Sequence, residues 1–284
     1  MSSKLERRDG PRSAIAPIYK AQASPPEYPL DQPSCLVTGS NVGTGFEASR
    51  QLLHLQLSHL IMGVRYQSKG DAAADALRRE FPGSNISVWH PDHESYGSIR
   101  TFVSRCETFP RIDFAILNAA VAKYGFTIVN YLSNVLLTIL LLPVLKAKTN
   151  ATNKPPVLSL VGSDMAYTSR IDNPEGFMQM AWYGKSKLLL TLFIITLVNH
   201  VDPNNVLVNM VNPDMTRGTN IKRELPSLYG AIMAMLYLVV GRSVVVAATT
   251  YADAVVAHGP ETHGCFIGDW VIKPYPEICY TEEG

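Results

Sequence analysis

The chain has 284 residues, of which 46% are hydrophobic and 17% are charged, so it can bury a large core and global disorder is excluded. A formal net charge of +1 gives no electrostatic footprint for nucleic acid or an anionic membrane, so we expect no nucleic-acid partner. The four cysteines lack C-x-x-C spacing and the seven histidines lack ligand spacing, so we expect reduced thiols and no metal site.

The N-terminus and the apolar stretches indicate where the protein resides. The first 20 residues are polar and lack the apolar centre of a signal peptide, which indicates an intracellular, cytoplasmic protein. Prolines at positions 25, 26, 29 and 33 predict an extended N-terminal arm over residues 1–33. Apolar stretches at 131–145, 188–201 and 231–246 are too short or are interrupted, so we expect buried helices and no membrane span.

Short apolar runs alternate with helical patterns from residue 34 onward. The predicted strands are 34–38, 59–64, 85–89, 114–118, 157–161, 206–211 and 265–267. The predicted helices are 43–55, 71–81, 95–107, 126–147, 181–199 and 243–257. Such alternation is typical of a parallel sheet covered on both faces. The predicted fold class is therefore α/β, a doubly wound parallel sheet (Rossmann fold) in a single domain over residues 34–284.

A glycine-rich turn joins the first strand to the first helix and reads Thr38-Gly39-Ser40-Asn41-Val42-Gly43-Thr44-Gly45. Glycines let the backbone approach a phosphate closely, and the free N–H groups and dipole of a helix start favour its negative charge. The turn therefore predicts a dinucleotide site formed by Gly39, Ser40, Asn41, Gly43 and Gly45. An ordinary left-handed turn is the alternative, because the glycine spacing differs from the commoner G-x-G-x-x-G.

Further motifs follow this turn in a fixed order along the chain. They are Asp92 after the third strand, Asn118-Ala119-Ala120 after the fourth, Ser163 after the fifth, Tyr183-Gly184-Lys185-Ser186-Lys187 on the next helix and Asn212-Pro213 after the sixth strand. In this order the chain resembles the short-chain dehydrogenase/reductase family over about residues 34–269. Within that family it is most similar to fungal secondary-metabolite and retinol-dehydrogenase-like reductases. The resemblance implies a dehydrogenase that interconverts a ketone and a secondary alcohol.

Two of these residues form a pair that can move a proton. Helical i, i+4 spacing puts Tyr183 and Lys187 on one face. A free tyrosine has a pKa of about 10, and an adjacent ammonium group lowers it. The resemblance makes Tyr183 the proton donor or acceptor and lets Lys187 also hold the nicotinamide ribose. It further implies that Ser163 polarises the substrate carbonyl and that Asn130 holds a water molecule against the lysine.

The choice of cofactor depends on the end of the second strand. An acidic residue there suits the ribose hydroxyls of NAD, whereas an arginine suits the 2′-phosphate of NADP. This chain has Arg65, so the sequence favours NADP(H) over NAD(H), with a solvated loop arginine as the alternative. By resemblance, Asp92 contacts the adenine, Asn118 lies in the ribose region, and Pro213 and Thr216 lie beside the nicotinamide.

Two segments rich in apolar side chains line the pocket in the resembled family. They carry Met165, Tyr167, Phe177, Met178, Met180 and Trp182, and then Met215, Leu225, Leu228, Tyr229, Met233 and Leu236. Such content predicts a bulky apolar small-molecule substrate, such as a terpenoid, polyketide or steroid-like skeleton. Core packing is the alternative for half of them. The resemblance also implies a homo-oligomer built on the helix that carries Asn130.

Three departures from the family pattern motivate a second hypothesis. Ala120 and Asp214 each replace a usual glycine, and Asn118 and Asn130 are 12 residues apart, about half the spacing that the resemblance implies. The second hypothesis is therefore a catalytically weakened or inactive nucleotide-binding protein that acts as a sensor or scaffold. A non-redox lyase or epimerase on the same fold is a third hypothesis.

Overall fold

Strands and helices alternate along a computed structural model that describes residues 32–121, 127–148, 154–169, 179–217 and 241–281. The strands are β1 Ser34–Thr38, β2 His59–Gly63, β3 Asn85–Trp89, β4 Phe114–Leu117, β5 Val157–Val161, β6 Leu207–Asn212, β7 Phe266–Gly268 and β8 Val271–Lys273. The α-helices are α1 Gly43–His54, α2 Gln67–Glu80, α3 Tyr96–Thr108, α4 Ser133–Lys146, α5 Met165–Thr168, α6 Gln179–Leu197 and α7 Val244–Val256. A π-helical stretch, Thr127–Leu132, leads into α4.

The eight strands form one sheet in the order β3-β2-β1-β4-β5-β6-β7-β8. All neighbouring pairs are parallel except β7 and β8. At the centre, Leu36 of β1 pairs with Ile61 of β2 on one side and with Ala115 of β4 on the other. The strand order therefore reverses between β1 and β4, the place where open α/β sheets bind ligands at their carboxyl edge. The predicted doubly wound parallel sheet is confirmed.

Helices cover both faces of this sheet and enclose one apolar core on each. Helices α1, α2 and α7 bury residues such as Leu52, Leu77 and Tyr251 on the first face. Helices α3, α4 and α6 bury residues such as Leu141 and Leu190 on the second face. Each large apolar side chain that is removed from water in this way contributes about 1.5–3 kcal/mol, so the two cores together fix the strand ends that carry the predicted site residues.

Two helical stretches, Ile128–Lys146 and Ala181–His200, are long and apolar enough to cross a membrane, with mean hydropathies of 2.0 and 1.3. Their apolar windows are 50% and 44% buried inside the protein. Leu141 of the first stretch and Leu190 of the second are buried in the core, as is typical of the core helices of a globular protein. The third apolar stretch, 231–246, lies largely outside the described residues.

The antiparallel strand β8 and the short helix α5 are absent from the sequence prediction. Strand β8 has three residues and follows a turn in which Asp269 and Trp270 adopt φ values of 53° and 59°. Two successive residues in the left-handed conformation form a two-residue hairpin turn. Asp-Trp is an unusual pair for such a turn, so the sequence gives no signal for the hairpin. Residues 1–31 of the predicted arm lie outside the described residues, and the boundary at residue 33 stays a prediction.

Candidate active site

The glycine turn after β1 has a geometry that favours glycine. Gly39 and Gly43 adopt left-handed φ values of 66° and 61°. A Cβ atom at Gly45 would lie 2.6 Å from the backbone oxygen of Gly39 and 2.5 Å from Nδ2 of Asn118. All three glycines are therefore required for the chain to fold back on itself at the carboxyl edge of the sheet.

The start of α1 presents donors that fit a phosphate. The N-cap residue Val42 gives no side-chain hydrogen bond to the first turn of the helix. Within the described part of the chain, the buried Ser40 hydroxyl has no hydrogen-bond partner either. A glycine-rich turn, an uncapped helix start and an unpartnered hydroxyl suit the pyrophosphate of a dinucleotide. The turn contains Gly39, Ser40, Asn41, Gly43 and Gly45, whose contact with a dinucleotide stays a prediction.

Asn118 ties the end of β4 to this turn. Its Nδ2 donates to the backbone oxygens of Thr38 at 2.9 Å and Gly39 at 3.2 Å. Its Oδ1 accepts from the hydroxyl of Tyr251 at 3.0 Å. The amide therefore holds the turn in place, and its predicted contact with the ribose stays a prediction. Burial raises the pKa of Tyr251 well above its usual value, with a smaller contribution from nearby Tyr183, so this hydroxyl remains a donor.

Tyr251 was missed by sequence reasoning, because it is one apolar position among many on α7 and lies 133 residues from Asn118. It is 1% exposed and packs in the core beneath the turn.

Arg65 and Asp92 follow the neighbouring strands β2 and β3. The guanidinium of Arg65 lies 3.1 Å from Glu94 and 4.7 Å from the ring centre of Tyr66. Lys69 lies over the same ring at 5.0 Å. The carboxylate of Asp92 accepts from the backbone N–H of Glu94 at 3.0 Å. The partly exposed pair between Arg65 and Glu94 contributes at most about 1 kcal/mol, so a stronger anion can replace Glu94.

Tyr183 and Lys187 lie on one buried face of α6 and are 8% and 2% exposed. The Lys187 ammonium lies 5.8 Å from the ring centre of Tyr183 and donates to the backbone oxygen of Val161 at 2.7 Å. This bond anchors α6 at the carboxyl end of β5. Burial lowers the pKa of Lys187 to about 8, so the ammonium is still the main form at neutral pH. A positive charge is therefore available beside the phenol.

Ser163 precedes α5, a short helix that packs against α6. Its hydroxyl accepts from the backbone N–H of Met165 at 3.3 Å, at the start of α5. A Cβ atom at Gly184, next to Tyr183, would lie 2.9 Å from the backbone oxygen of Met165. Glycine at this position therefore lets the segment that carries Ser163 pack directly against the helix that carries Tyr183.

Asn130 lies in the π-helical stretch and is fully buried. Its side-chain amide exchanges two hydrogen bonds with the backbone of Val121, both at 2.8 Å. Its Nδ2 also lies 3.5 Å from the hydroxyl of Ser186, which precedes Lys187. The shortened connection from Asn118 therefore still brings Asn130 beside α6. Its predicted contact with a water molecule stays a prediction, although π-helical turns are frequent at functional sites.

Asp214 lies at the position where the resembled family has glycine, and it adopts a left-handed φ of 63°. Its backbone N–H donates to Oδ1 of Asn212 at 3.1 Å, and its carboxylate lies 2.7 Å from Arg242. Thr216 donates from its hydroxyl to the backbone oxygen of Asp214 at 3.0 Å. Pro213 and Thr216 therefore lie in a turn that the ion pair with Arg242 holds.

Asp164 directly follows Ser163 and meets this turn. Asn212 donates from Nδ2 to its carboxyl group at 2.5 Å. Burial, followed by the hydrogen bond and charge of Asp214, raises the pKa of Asp164 to about 8. Sequence reasoning missed both Asp164 and Arg242, because neither position belongs to the motifs that carry the family resemblance.

The predicted substrate-side residues are described only in part. Tyr167 and Trp182 are 40% and 39% exposed, and Tyr167 packs edge-on against Phe266 with ring centres 5.6 Å apart. The remaining predictions on Phe177, Met178, Leu225, Leu228, Tyr229, Met233 and Leu236, and on the side chain of Met180, lie outside the described residues. Among the residues that the structure describes, no group of three His, Cys, Asp or Glu side chains could hold a metal ion.

Comparison with known proteins identifies fungal relatives over most of the chain. It is 51% identical over 271 residues to the short chain dehydrogenase virL of Hypocrea virens, covering 88% of this chain and 80% of the relative. It is 38% identical over 289 residues to the short chain dehydrogenase/reductase mfmJ of Annulohypoxylon moriforme, covering 93% and 84%. It is 39% identical over 278 residues to the short chain dehydrogenase opdN of Penicillium oxalicum, covering 86% and 89%. No protein-family model matches the sequence.

Solved structures share the fold at lower identity. The 3-oxoacyl-[acyl-carrier protein] reductase from Brucella melitensis, in complex with NAD, has a TM-score of 0.69 and 19% identity, covering 84% of this chain and 96% of its own. A short-chain dehydrogenase from Sphingobium yanoikuyae, in complex with NADPH, has a TM-score of 0.62 and 20% identity, covering 76% and 82%. The identity, coverage and fungal origin of the sequence relatives confirm the predicted resemblance: the chain belongs to the short-chain dehydrogenase/reductase family of oxidoreductases.

Proposed function

We propose that the protein interconverts a ketone and a secondary alcohol on a bulky apolar small molecule, with NADP(H), in secondary-metabolite biosynthesis. The observation that carries this proposal is the buried ammonium of Lys187 beside the phenol of Tyr183, anchored to the carboxyl end of β5 by the bond to Val161. The glycine turn after β1 lies at the same edge of the sheet.

The residues of this chain supply the proton chemistry. A nicotinamide cofactor, when bound, supplies or accepts the hydride. In reduction, Tyr183 donates its phenolic proton to the carbonyl oxygen, while Ser163 donates a hydrogen bond to the same oxygen and polarises it. The positive charge of Lys187 stabilises the phenolate that remains on Tyr183. In oxidation the same phenolate accepts the proton from the alcohol.

Turnover of Tyr183→Phe tests this assignment. The phenylalanine keeps the ring but has no proton to give, so reduction of a panel of bulky apolar ketones should fall below detection. NADPH affinity should stay within about threefold, because the ring and Lys187 remain, and Tyr96→Phe on an exposed tyrosine is the matched control. Retained turnover in Tyr183→Phe would rule out the assignment.

Arg65 supports NADP(H) over NAD(H), because no acidic residue is present at the end of β2 to accept ribose hydroxyls. The Arg65→Leu variant should bind NADPH at least about tenfold more weakly and NADH unchanged, since a charged contact to a phosphate contributes roughly 1.5–3 kcal/mol. Arg79→Leu, on an exposed arginine of α2, is the control. Equal loss for both nucleotides, measured by calorimetric titration, would refute the preference for NADP(H).

A nucleotide-binding protein without catalysis is not favoured, because the relatives are named dehydrogenases and the Tyr183–Lys187 pair is intact. The shortened connection before Asn130 also leaves this residue beside α6. Hydride transfer to any ketone of the panel would exclude this alternative.

Surface residues support two further parts of the proposal. Exposed Tyr167 and Trp182 suit an apolar substrate. Exposed Ile128, Leu132 and Ile139, on the π-helical stretch and α4, suit a homo-oligomer, which light scattering would test and a monomeric mass would refute. The reaction fits a cytoplasmic location, which fractionation of cells that express the tagged chain would test.

A further inference from the structure

Carboxyl groups that follow three successive strands converge on one arginine. Asp214 follows β6 and lies 2.7 Å from Nη2 of Arg242. Asp269 follows β7 and pairs with the same nitrogen. Asp164 follows β5, and Nδ2 of Asn212 donates to it at 2.5 Å and lies 3.4 Å from Oδ1 of Asp214. Arg242, which lies just before α7, thus connects the ends of β5, β6 and β7 through side chains alone.

The backbone repeats this connection. The N–H of Arg242 donates to the oxygen of Met215 at 2.8 Å, and the oxygen of Arg242 accepts from the N–H of Arg217 at 2.9 Å. Thr216 and Arg242 form an isolated parallel bridge. These backbone hydrogen bonds therefore join residues 215–217, which precede segment 218–240, to Arg242, which follows it. Residues 215–217 come shortly after Pro213 in the chain.

The charges of this cluster balance when Asp164 carries its proton. Asp214 and Asp269 are the two carboxylates, and Arg242 and Lys273, which lies 3.0 Å from Asp269, are the two cations. Asp164 also accepts a hydrogen bond from Nδ2 of Asn212. The neighbouring group on α5 is the phenol of Tyr167, which donates to the backbone oxygen of Pro274. Asp214, at the position where the family pattern has glycine, therefore adds no net charge to the site.

We propose that Arg242 and Asp214 are positioning residues that clamp the turn after β6 to the start of α7 and, through Asp164, to the segment of Ser163. The left-handed conformation of Asp214, unfavourable for most residues, is held by its pair with Arg242 and by its bond to Asn212. The inference rests on the proposed function, because Pro213 and Thr216 are the residues expected beside the nicotinamide. The clamp sets their distance from Ser163.

Hydrogen exchange of the apoprotein tests the clamp without a nucleotide. In Arg242→Met, the amides of 215–217 and 241–243 should lose at least tenfold protection, while β1 and β4 keep theirs. Arg111→Met is the matched control, because it removes a pair of similar length with Asp113 at the amino ends of β1 and β4. Asp214→Asn, which weakens the same pair with little change of shape, keeps the test decisive if Arg242→Met fails to fold.

Nucleotide affinity tests whether the clamp acts on the nicotinamide side. Arg242→Met and Asp214→Asn should bind NADPH about tenfold more weakly than the wild type does. Their affinity for 2′-phospho-ADP-ribose, which lacks the nicotinamide, should stay within twofold. Unchanged hydrogen exchange in both variants would overturn the clamp. An equal loss of affinity for NADPH and for 2′-phospho-ADP-ribose would overturn its specific effect on the nicotinamide side. If the wild type binds neither nucleotide, the proposed function fails and the exchange comparison alone decides the clamp.

Discussion

Substitution of Gly45 by alanine should disrupt the turn that the cofactor is expected to occupy. The added Cβ would lie 2.6 Å from the backbone oxygen of Gly39 and 2.5 Å from Nδ2 of Asn118. Real Cβ atoms do not approach other heavy atoms this closely, and the backbone oxygen has no side-chain freedom with which to move away. The turn and the amide of Asn118 must therefore both shift.

The magnitude follows from the contacts that would be lost. Overpacking at a close-packed site costs about 1–3 kcal/mol. Displacing Asn118 also weakens its bonds to Thr38 and Gly39, each worth about 0.5–1.5 kcal/mol. We expect Gly45→Ala to lower the free energy of unfolding by about 2–6 kcal/mol. A turn shifted at the phosphate site should weaken NADPH binding at least about 30-fold, equivalent to roughly 2 kcal/mol.

Urea denaturation and calorimetric titration of NADPH measure the two effects. Gly83→Ala is the matched control, because no atom lies within 4 Å of the Cβ that it would add. It should change the free energy of unfolding by no more than about 0.5 kcal/mol and leave NADPH affinity unchanged. Equal behaviour of the two variants would refute the role of Gly45 in the turn.

Three further predictions concern buried polar groups. Tyr251→Phe removes the donor to Asn118, so urea denaturation should show a loss of about 1–2 kcal/mol, against no more than about 0.5 for the exposed control Tyr96→Phe. Because the native Asp164 keeps its proton up to pH about 8 and the unfolded one only to 3.8, wild-type stability falls as pH rises between these values. In Asp164→Asn, the midpoint of urea denaturation should no longer fall as pH rises over this range. If the midpoint of the variant falls with pH as steeply as that of the wild type, the prediction is contradicted. Burial lowers the pKa of Lys187 from 10.5 to about 8, so from pH 8 to 10.5 the wild type should gain stability relative to Lys187→Met, and parallel curves would contradict this.

The fold and part of the site could be predicted because local patterns encode them. Alternating apolar runs placed the central strands within about one residue, since buried parallel strands are apolar along their whole length. The glycine turn could be predicted because the left-handed backbone at Gly39 and Gly43 is a local requirement that glycine meets best. Short elements such as α5 and β8 escaped because three or four residues show no period.

The remaining site residues could not be predicted, because only folding brings them together. Tyr251 lies 133 residues from Asn118, and Asp164 lies 48 residues from Asn212. Arg242 reads as an isolated surface charge in the sequence, yet its side chain is 12% exposed and pairs with Asp214. Because the pair with Arg242 holds Asp214 in its left-handed conformation, an acidic residue fits at a position where the family pattern has glycine.

Transfer of deuterium from NADPH that carries deuterium at both hydrogen positions of the nicotinamide C4 to the carbinol carbon of a bulky ketone tests the central claim most directly. Mass spectrometry after a single turnover should find one deuterium per alcohol formed by the wild type. Tyr183→Phe, with NADPH bound, should form no labelled alcohol. Labelled alcohol formed at the same rate by Tyr183→Phe, or alcohol formed without the label, would contradict a reduction in which Tyr183 supplies the proton beside Lys187.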